Sequence, residues 1–164
     1  MNRYYTEVRW AFLFIAMMLL WMIGEKALGL HDPGNLDKHA IYTNFIAIPA
    51  IGIYVFALLD KKKKDYDKTM SYKQGLLTGC IITLIITVMT PLNQYIISTY
   101  ITPDYFTNAI AYSVEKAILS QADATEYFSL HNYIKESTIF SLAMGLATSV
   151  IVAFFTKSKT TIQE

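Results

Sequence analysis

The sequence predicts an all-α protein: a four-helix transmembrane bundle with a short helical extracytoplasmic cap between spans three and four. Of its 164 residues, 54% are hydrophobic and 16% are charged, whereas soluble domains carry about a quarter charged residues. Four stretches approach the roughly 20 apolar residues that a helix needs to cross a bilayer. Lys and Arg are concentrated in alternate connections between these stretches. We therefore treat residues 1–164 as a single integral membrane domain.

The first predicted span covers about residues 10–30. It is unbroken apolar from Trp10 to Ile23 and reaches full length only by continuing through Glu25 and Lys26. These two charges then lie at a headgroup boundary. The same segment also resembles a secretory signal peptide, because it has a basic start, an apolar core and small residues after the core. Cleavage after this segment would leave three spans.

The other three spans are expected at about 40–59, 75–97 and 137–156. The second contains several polar or helix-perturbing residues, and the third contains Pro91, where we expect a kink. Lys157 and Lys159 close the fourth.

The distribution of charge predicts the orientation. The N-terminus, the second loop and the C-terminus hold ten basic and five acidic residues, whereas the first and third loops hold four basic and eight acidic residues. One face is therefore +5 and the other −4. Because basic residues mark the cytoplasmic side, both termini are expected in the cytoplasm.

A run of four lysines follows the second span: Lys61, Lys62, Lys63 and Lys64. Such a run could contact anionic lipid head groups, at about 1 kcal/mol per basic residue. The simpler interpretation is a signal for the cytoplasmic side.

The predicted cap covers about residues 104–136. Ile110, Val114 and Ile118 recur at helical spacing and need apolar cover. Asp123 followed by Glu126 resembles a capping box that opens a second helix. Three acidic side chains form the candidate partner surface: Glu115, Asp123 and Glu126.

All three histidines fall on the predicted outer side. With nearby acids they form a candidate outer polar cluster: Glu25, His31, Asp32, His39 and His131. Imidazole and carboxylate are the usual ligands of zinc and similar metals, but this spacing matches no metal motif. The sequence therefore predicts no metal and no cofactor. Proton handling by Glu25 is an alternative interpretation. The simpler interpretation is that the Glu25 side chain extends to water.

Motifs of catalysis and nucleic-acid binding are missing from the sequence. It contains no Walker A loop, dinucleotide turn or His-Glu-x-x-His pair, Cys80 lies in an apolar run, and the net charge of +1 does not support nucleic-acid binding. Gly75 and Gly79 have the spacing that lets helices approach closely. They could serve a homo-oligomer, but we expect them to pack the bundle internally.

Four segments, residues 21–32, 42–49, 91–96 and 102–106, resemble a bacterial membrane family, domain-of-unknown-function family forty-one ninety-nine, over nearly the whole chain. The resemblance implies a small, uncleaved, multi-span protein of the inner membrane of a Gram-negative bacterium. It implies no activity.

The leading functional prediction is a non-enzymatic accessory or interaction subunit, because the mass outside the lipid is too small for a soluble catalytic domain. Its partners would be the lipid bilayer and another membrane protein. One alternative is a path for a small solute or ion that uses Thr43, Asn44 and Asn93. A second alternative is a metal-dependent enzyme on the outer face, which would use the histidines.

Overall fold

The computed structural model describes residues 3–158, and the described residues contain helices and no strand. Seven α-helices follow one another: α1 (Tyr5–Ala27), α2 (Leu36–Tyr42), α3 (Ala47–Asp65), α4 (Tyr72–Ile96), α5 (Tyr105–Glu115), α6 (Gln121–Tyr127) and α7 (Leu130–Thr156). Short 3₁₀ turns cover Pro33–Asn35 and Thr43–Ile46, and a π turn covers Ile97–Ile101. The all-α prediction is confirmed.

Within residues 3–158, four helical segments are long and apolar enough to cross a membrane: Tyr5–Ala27, Pro33–Asp65, Tyr72–Ile101 and Leu130–Thr156. The second exceeds its predicted bounds at both ends, because α2 and the 3₁₀ turn at Pro33–Asn35 extend its start and α3 continues to Asp65. The third continues through Pro91 and ends in the π turn. Lys159, which was expected to help close the fourth, lies outside the described residues.

The fourth segment begins seven residues before its predicted start, at Leu130. Ser129 caps it by accepting a hydrogen bond from the Asn132 backbone N–H. The predicted cap therefore shortens to two helices, α5 and α6, which we call the cap. The predicted capping role of Asp123 is wrong. Ser120 is the N-cap of α6, because its extended backbone lets its hydroxyl accept from the Asp123 N–H.

Helices α4 and α7 pack closely through small residues. A Cβ added to Gly79 would lie 2.6 Å from the Ser149 hydroxyl oxygen, and one added to Gly145 would lie 2.5 Å from the Thr83 side chain. The Tyr54 hydroxyl lies 2.8 Å from the Thr83 hydroxyl and ties α3 to the same pair. The close approach of Gly79 thus serves packing within the bundle.

The bundle has two distinct ends. At the end where α1 begins and α7 finishes, which we call the terminal end, the Met70 N–H donates to the Ser158 hydroxyl. This hydrogen bond joins the connection before α4 to the end of α7. At the other end, which we call the cap end, the cap lies with the connection between α1 and α3. Large apolar side chains such as Phe56, Val88 and Phe140 are exposed between the ends, as expected for helices that face lipid.

Candidate functional site

A buried carboxylate, that of Glu25, lies in the last turn of α1 at the cap end, with only 3% of the residue exposed. Trp21 lies four residues earlier, so both side chains project from one face of the helix. The Trp21 indole N–H donates to Glu25 Oε1 over 2.6 Å. This hydrogen bond occupies one carboxylate oxygen and turns the other, Oε2, towards the loop that follows.

The chain then reverses over the end of α1. Gly29 adopts a positive φ of 67°, a conformation that glycine tolerates and other residues disfavour. The Gly29 N–H donates to the Lys26 carbonyl and the Leu30 N–H donates to the Glu25 carbonyl, which is the Schellman arrangement. The reversal brings buried His31 back, so that its Nε2 lies 3.2 Å from Glu25 Oε2.

Helix α2 contributes a second imidazole, that of His39. His39 Nδ1 lies 3.4 Å from the same Glu25 oxygen. The rings of His31 and His39 meet edge to face, with centroids 4.7 Å apart. One ligand atom from each of the three side chains lies within 4.8 Å of the other two. We call Glu25, His31 and His39 the acid–imidazole cluster.

The cap covers this cluster. The Tyr105 ring of α5 lies 5.4 Å, centroid to centroid, from each of the two imidazoles. Burial raises the pKa of the Tyr105 phenol, and its hydroxyl lies 3.3 Å from that of Tyr133. One helical turn later, the Asn108 amide donates to the His31 carbonyl over 3.1 Å. The cap is thus fixed directly to the residues of the cluster.

An apolar groove of about 630 Å³ runs between α1 and the segment from α2 into α3. Its lining includes Met17, Trp21, Glu25 and Tyr42. Glu25 is part of this lining, so the groove reaches the edge of the cluster.

The structure does not bring the rest of the candidate polar cluster together. Asp32 and His131 are exposed, and neither joins the group of ligand atoms within the described part of the chain. The candidate partner residues Glu115, Asp123 and Glu126 are exposed on the cap. Asp123 also accepts a hydrogen bond from the Ser120 hydroxyl over 2.6 Å.

The run of four lysines does not face one environment. Lys61 is 3% exposed, and its ammonium pairs with Glu7 at 2.9 Å and with Asp65. It is not available to a lipid head group, because it neutralises a buried acid. Lys62 donates to the Thr156 carbonyl, and Lys64 pairs with Asp60 at 2.9 Å. We call Glu7, Lys61 and Asp65 the lysine cluster.

Sequence reasoning missed Trp21, Tyr105 and Glu7. The spacing of Trp21 and Glu25, four residues apart on one helix, was a usable signal. No comparable signal pointed to Tyr105, which is 80 residues from Glu25 along the chain, or to the pairing of Glu7 with Lys61.

Fold and site together define an α-helical protein with four candidate membrane spans and a buried acid–imidazole cluster at one end of the bundle. The chain belongs to a family described as "Protein of unknown function (DUF4199)", whose model matches residues 9–158. The expected family is thereby confirmed. No curated protein and no solved structure matches the chain.

Proposed function

We propose that this protein is an accessory or interaction subunit of a membrane complex in the bacterial inner membrane. The observation that carries the proposal is the cap. Between the third and fourth candidate spans the chain has only about 28 residues, which is fewer than an independent domain usually needs. These residues instead form two short helices, and their outward surface is accessible to another protein.

The cap is held rigidly on one side and presents charge on the other. Ala109 and Ser113 are buried, and Asn108 is bonded to the loop below. Glu115 and Glu126 are exposed, and Ile118 is 61% exposed. Exposed acidic groups and an exposed apolar side chain on the same cap suit a partner surface that carries both basic and apolar residues.

The proposed orientation places both termini in the cytoplasm and the cap outside. The excess of basic residues at the termini and in the connection between α3 and α4 supports it. The lysine cluster does not weaken this argument, because Lys63 and Lys68 remain exposed at the terminal end.

The arrangement of polar residues gives less support to a path for a small solute or ion. Asn44 is exposed, and its amide donates to the Ala40 carbonyl over 2.8 Å. It therefore does not line the bundle interior. Asn93 is buried, but a single buried amide is a weak basis for a path.

The test is co-purification from native membranes in mild detergent, with the partner quantified against this protein's own yield. We expect the double variant Glu115→Gln with Glu126→Gln to reduce the partner about fivefold, the sum of two exposed charge pairs. Asp67→Asn is the matched control, because it removes an exposed acid at the terminal end. It should leave the partner unchanged.

A more drastic variant replaces residues 107–122 by a flexible linker. The accessory role predicts loss of the partner with retention of the four-helix bundle. If the linker variant and the double variant both keep the partner at the wild-type level, the cap is only a connector and the proposal fails.

A further inference from the structure

We propose that the acid–imidazole cluster is a binding site for a divalent first-row transition metal ion, with Zn²⁺ as the best match. The ligands would be Oε2 of Glu25, Nε2 of His31 and Nδ1 of His39. The inference goes beyond the accessory role and does not depend on it, because its test uses the purified protein alone.

The first argument is geometric. A tetrahedral ion with bonds of about 2.0–2.1 Å holds its ligand atoms roughly 3.3 Å apart. Glu25 Oε2 lies 3.2 Å from His31 Nε2 and 3.4 Å from His39 Nδ1. Two of the three separations therefore already have the required length. Rotation of the imidazole rings brings the third within range, since all three ligand atoms lie within 4.8 Å.

The second argument concerns charge. Glu25 is buried, and its ion-pair partners among residues 3–158 are the two imidazoles and no Lys or Arg. A buried carboxylate without a cation is costly, most of all at a membrane. A divalent ion would supply a permanent positive charge at the point where both imidazoles meet the carboxylate.

The third argument concerns unsatisfied atoms. Buried His39 Nδ1 has no hydrogen-bond partner among residues 3–158, although it lies 3.4 Å from Glu25 Oε2. A buried polar atom without a partner costs free energy, and a bond to a metal ion would remove that cost. This atom is the ligand that the geometry assigns to His39.

Neighbouring residues hold the Glu25 carboxylate, the backbone of His31 and the two imidazole rings in place. Ligands are usually oriented by neighbouring hydrogen bonds. The Trp21 indole holds Glu25 Oε1 and leaves Oε2 for the ion. The Asn108 amide holds the backbone of His31, and the Tyr105 ring lies against both imidazoles. Three protein ligands leave a fourth position for water or for a partner's side chain, as in catalytic rather than structural zinc sites.

The choice of metal follows from the donor atoms. Two imidazole nitrogens and one carboxylate oxygen suit Zn²⁺, and they also suit Fe²⁺ and neighbouring ions of the same row. Mg²⁺ and Ca²⁺ take oxygen ligands, so they provide a chemical control.

The experiment uses tag-free, full-length protein in mild detergent after treatment with a chelator. Zn²⁺ alone is titrated by calorimetry, and Co²⁺ is titrated by visible absorption. We expect one ion per chain, a Co²⁺ spectrum typical of tetrahedral coordination, and no binding of Mg²⁺ at the same concentrations.

Variants locate the ion. His39→Ala and Glu25→Gln should each weaken Zn²⁺ binding at least about 100-fold, and Trp21→Phe, which removes a positioning hydrogen bond, about tenfold. His131→Ala is the matched control, because His131 is the third histidine, is exposed and is not one of the three grouped ligand residues. Helical content and the melting temperature without metal show which variants fold. If Glu25→Gln unfolds, His39→Ala carries the test.

Any one of three results would overturn the proposal. The first is that the wild-type protein binds less than one Zn²⁺ per chain. The second is that a folded His39→Ala variant binds Zn²⁺ as tightly as wild type, and the third is that His131→Ala loses as much affinity as His39→Ala. Loss of the partner in the co-purification experiment would leave this result unaffected, so the two proposals fail separately.

Discussion

Helix α1 carries a buried carboxylate near each of its ends, and the two are neutralised in different ways. Glu7 and Glu25 are 2% and 3% exposed. They lie 18 residues apart, about 27 Å along a helix. Glu7 meets the ammonium of Lys61 at 2.9 Å. Glu25 meets two imidazoles and an indole.

The lysine cluster is closed. The Lys61 ammonium has three N–H groups, and its three partners are Glu7, Asp65 and the Arg3 carbonyl, the last at 2.7 Å. All three N–H groups of the ammonium are thereby satisfied. This arrangement joins the start of α1 to the end of α3.

The acid–imidazole cluster is open. Its imidazoles carry a full positive charge only when protonated. Within the described part of the chain, the buried Nδ1 atoms of His31 and His39 have no hydrogen-bond partner. Glu7 and Glu25 are therefore equally buried but differ in their partners, since those of Glu7 are fully hydrogen-bonded and those of Glu25 are not.

The largest expected effect is at the closed cluster. Lys61→Met should lower the free energy of unfolding by about 3–5 kcal/mol, because it leaves Glu7 buried without its cation. Unfolding in mixed micelles, followed by circular dichroism, measures this. Lys63→Met is the matched control, since Lys63 is exposed in the same run, and it should change stability by less than about 0.5 kcal/mol.

The partner acid provides a check on that explanation. Adding Glu7→Gln to Lys61→Met should restore part of the lost stability, because the uncompensated charge is then gone. A double variant that is less stable than Lys61→Met would show that packing, and not the charge of Glu7, explains the loss.

A smaller effect is expected when one donor is removed from the open cluster. Trp21→Phe should cost about 1.5–3 kcal/mol, the range for a hydrogen bond to a charged group. Trp10→Phe is a matched variant at the terminal end, where the indole donates to Asp60 over 3.0 Å. Asp60 also pairs with Lys64 and Arg9, so Trp10→Phe should cost less. The reverse order of melting temperatures would contradict the contrast between the clusters.

The smallest effect is expected from the Tyr105 side chain of the cap, which covers the acid–imidazole cluster. Tyr105→Phe removes the hydroxyl that bonds to Tyr133 and keeps the ring against the imidazoles. We expect a loss of about 0.5–1.5 kcal/mol. Faster hydrogen exchange should appear in α5, with no change in α1 near Glu7. Uniform acceleration across the bundle would show that the cap is not a separate unit of stability.

The sequence predicts the spans well because apolar length is a local property. It also places Glu25 near His31 and His39, because the connection between spans one and two is too short to separate them. It does not distinguish Lys61 from its three neighbours, since that depends on the rotation of α3 about its axis relative to α1. Each residue turns a helix by about 100°, so consecutive lysines face different environments. Tyr105 depends in the same way on how the cap docks.

The two clusters are expected at opposite membrane faces, and labelling tests this directly. Lys63→Cys and Asp123→Cys, each in a Cys80→Ser background, are treated with a membrane-impermeant maleimide in intact spheroplasts and in inverted vesicles. Both positions are exposed in the structure. We expect Asp123→Cys to react in spheroplasts and Lys63→Cys to react only in inverted vesicles. Labelling of both positions from the same side would contradict the four-span account.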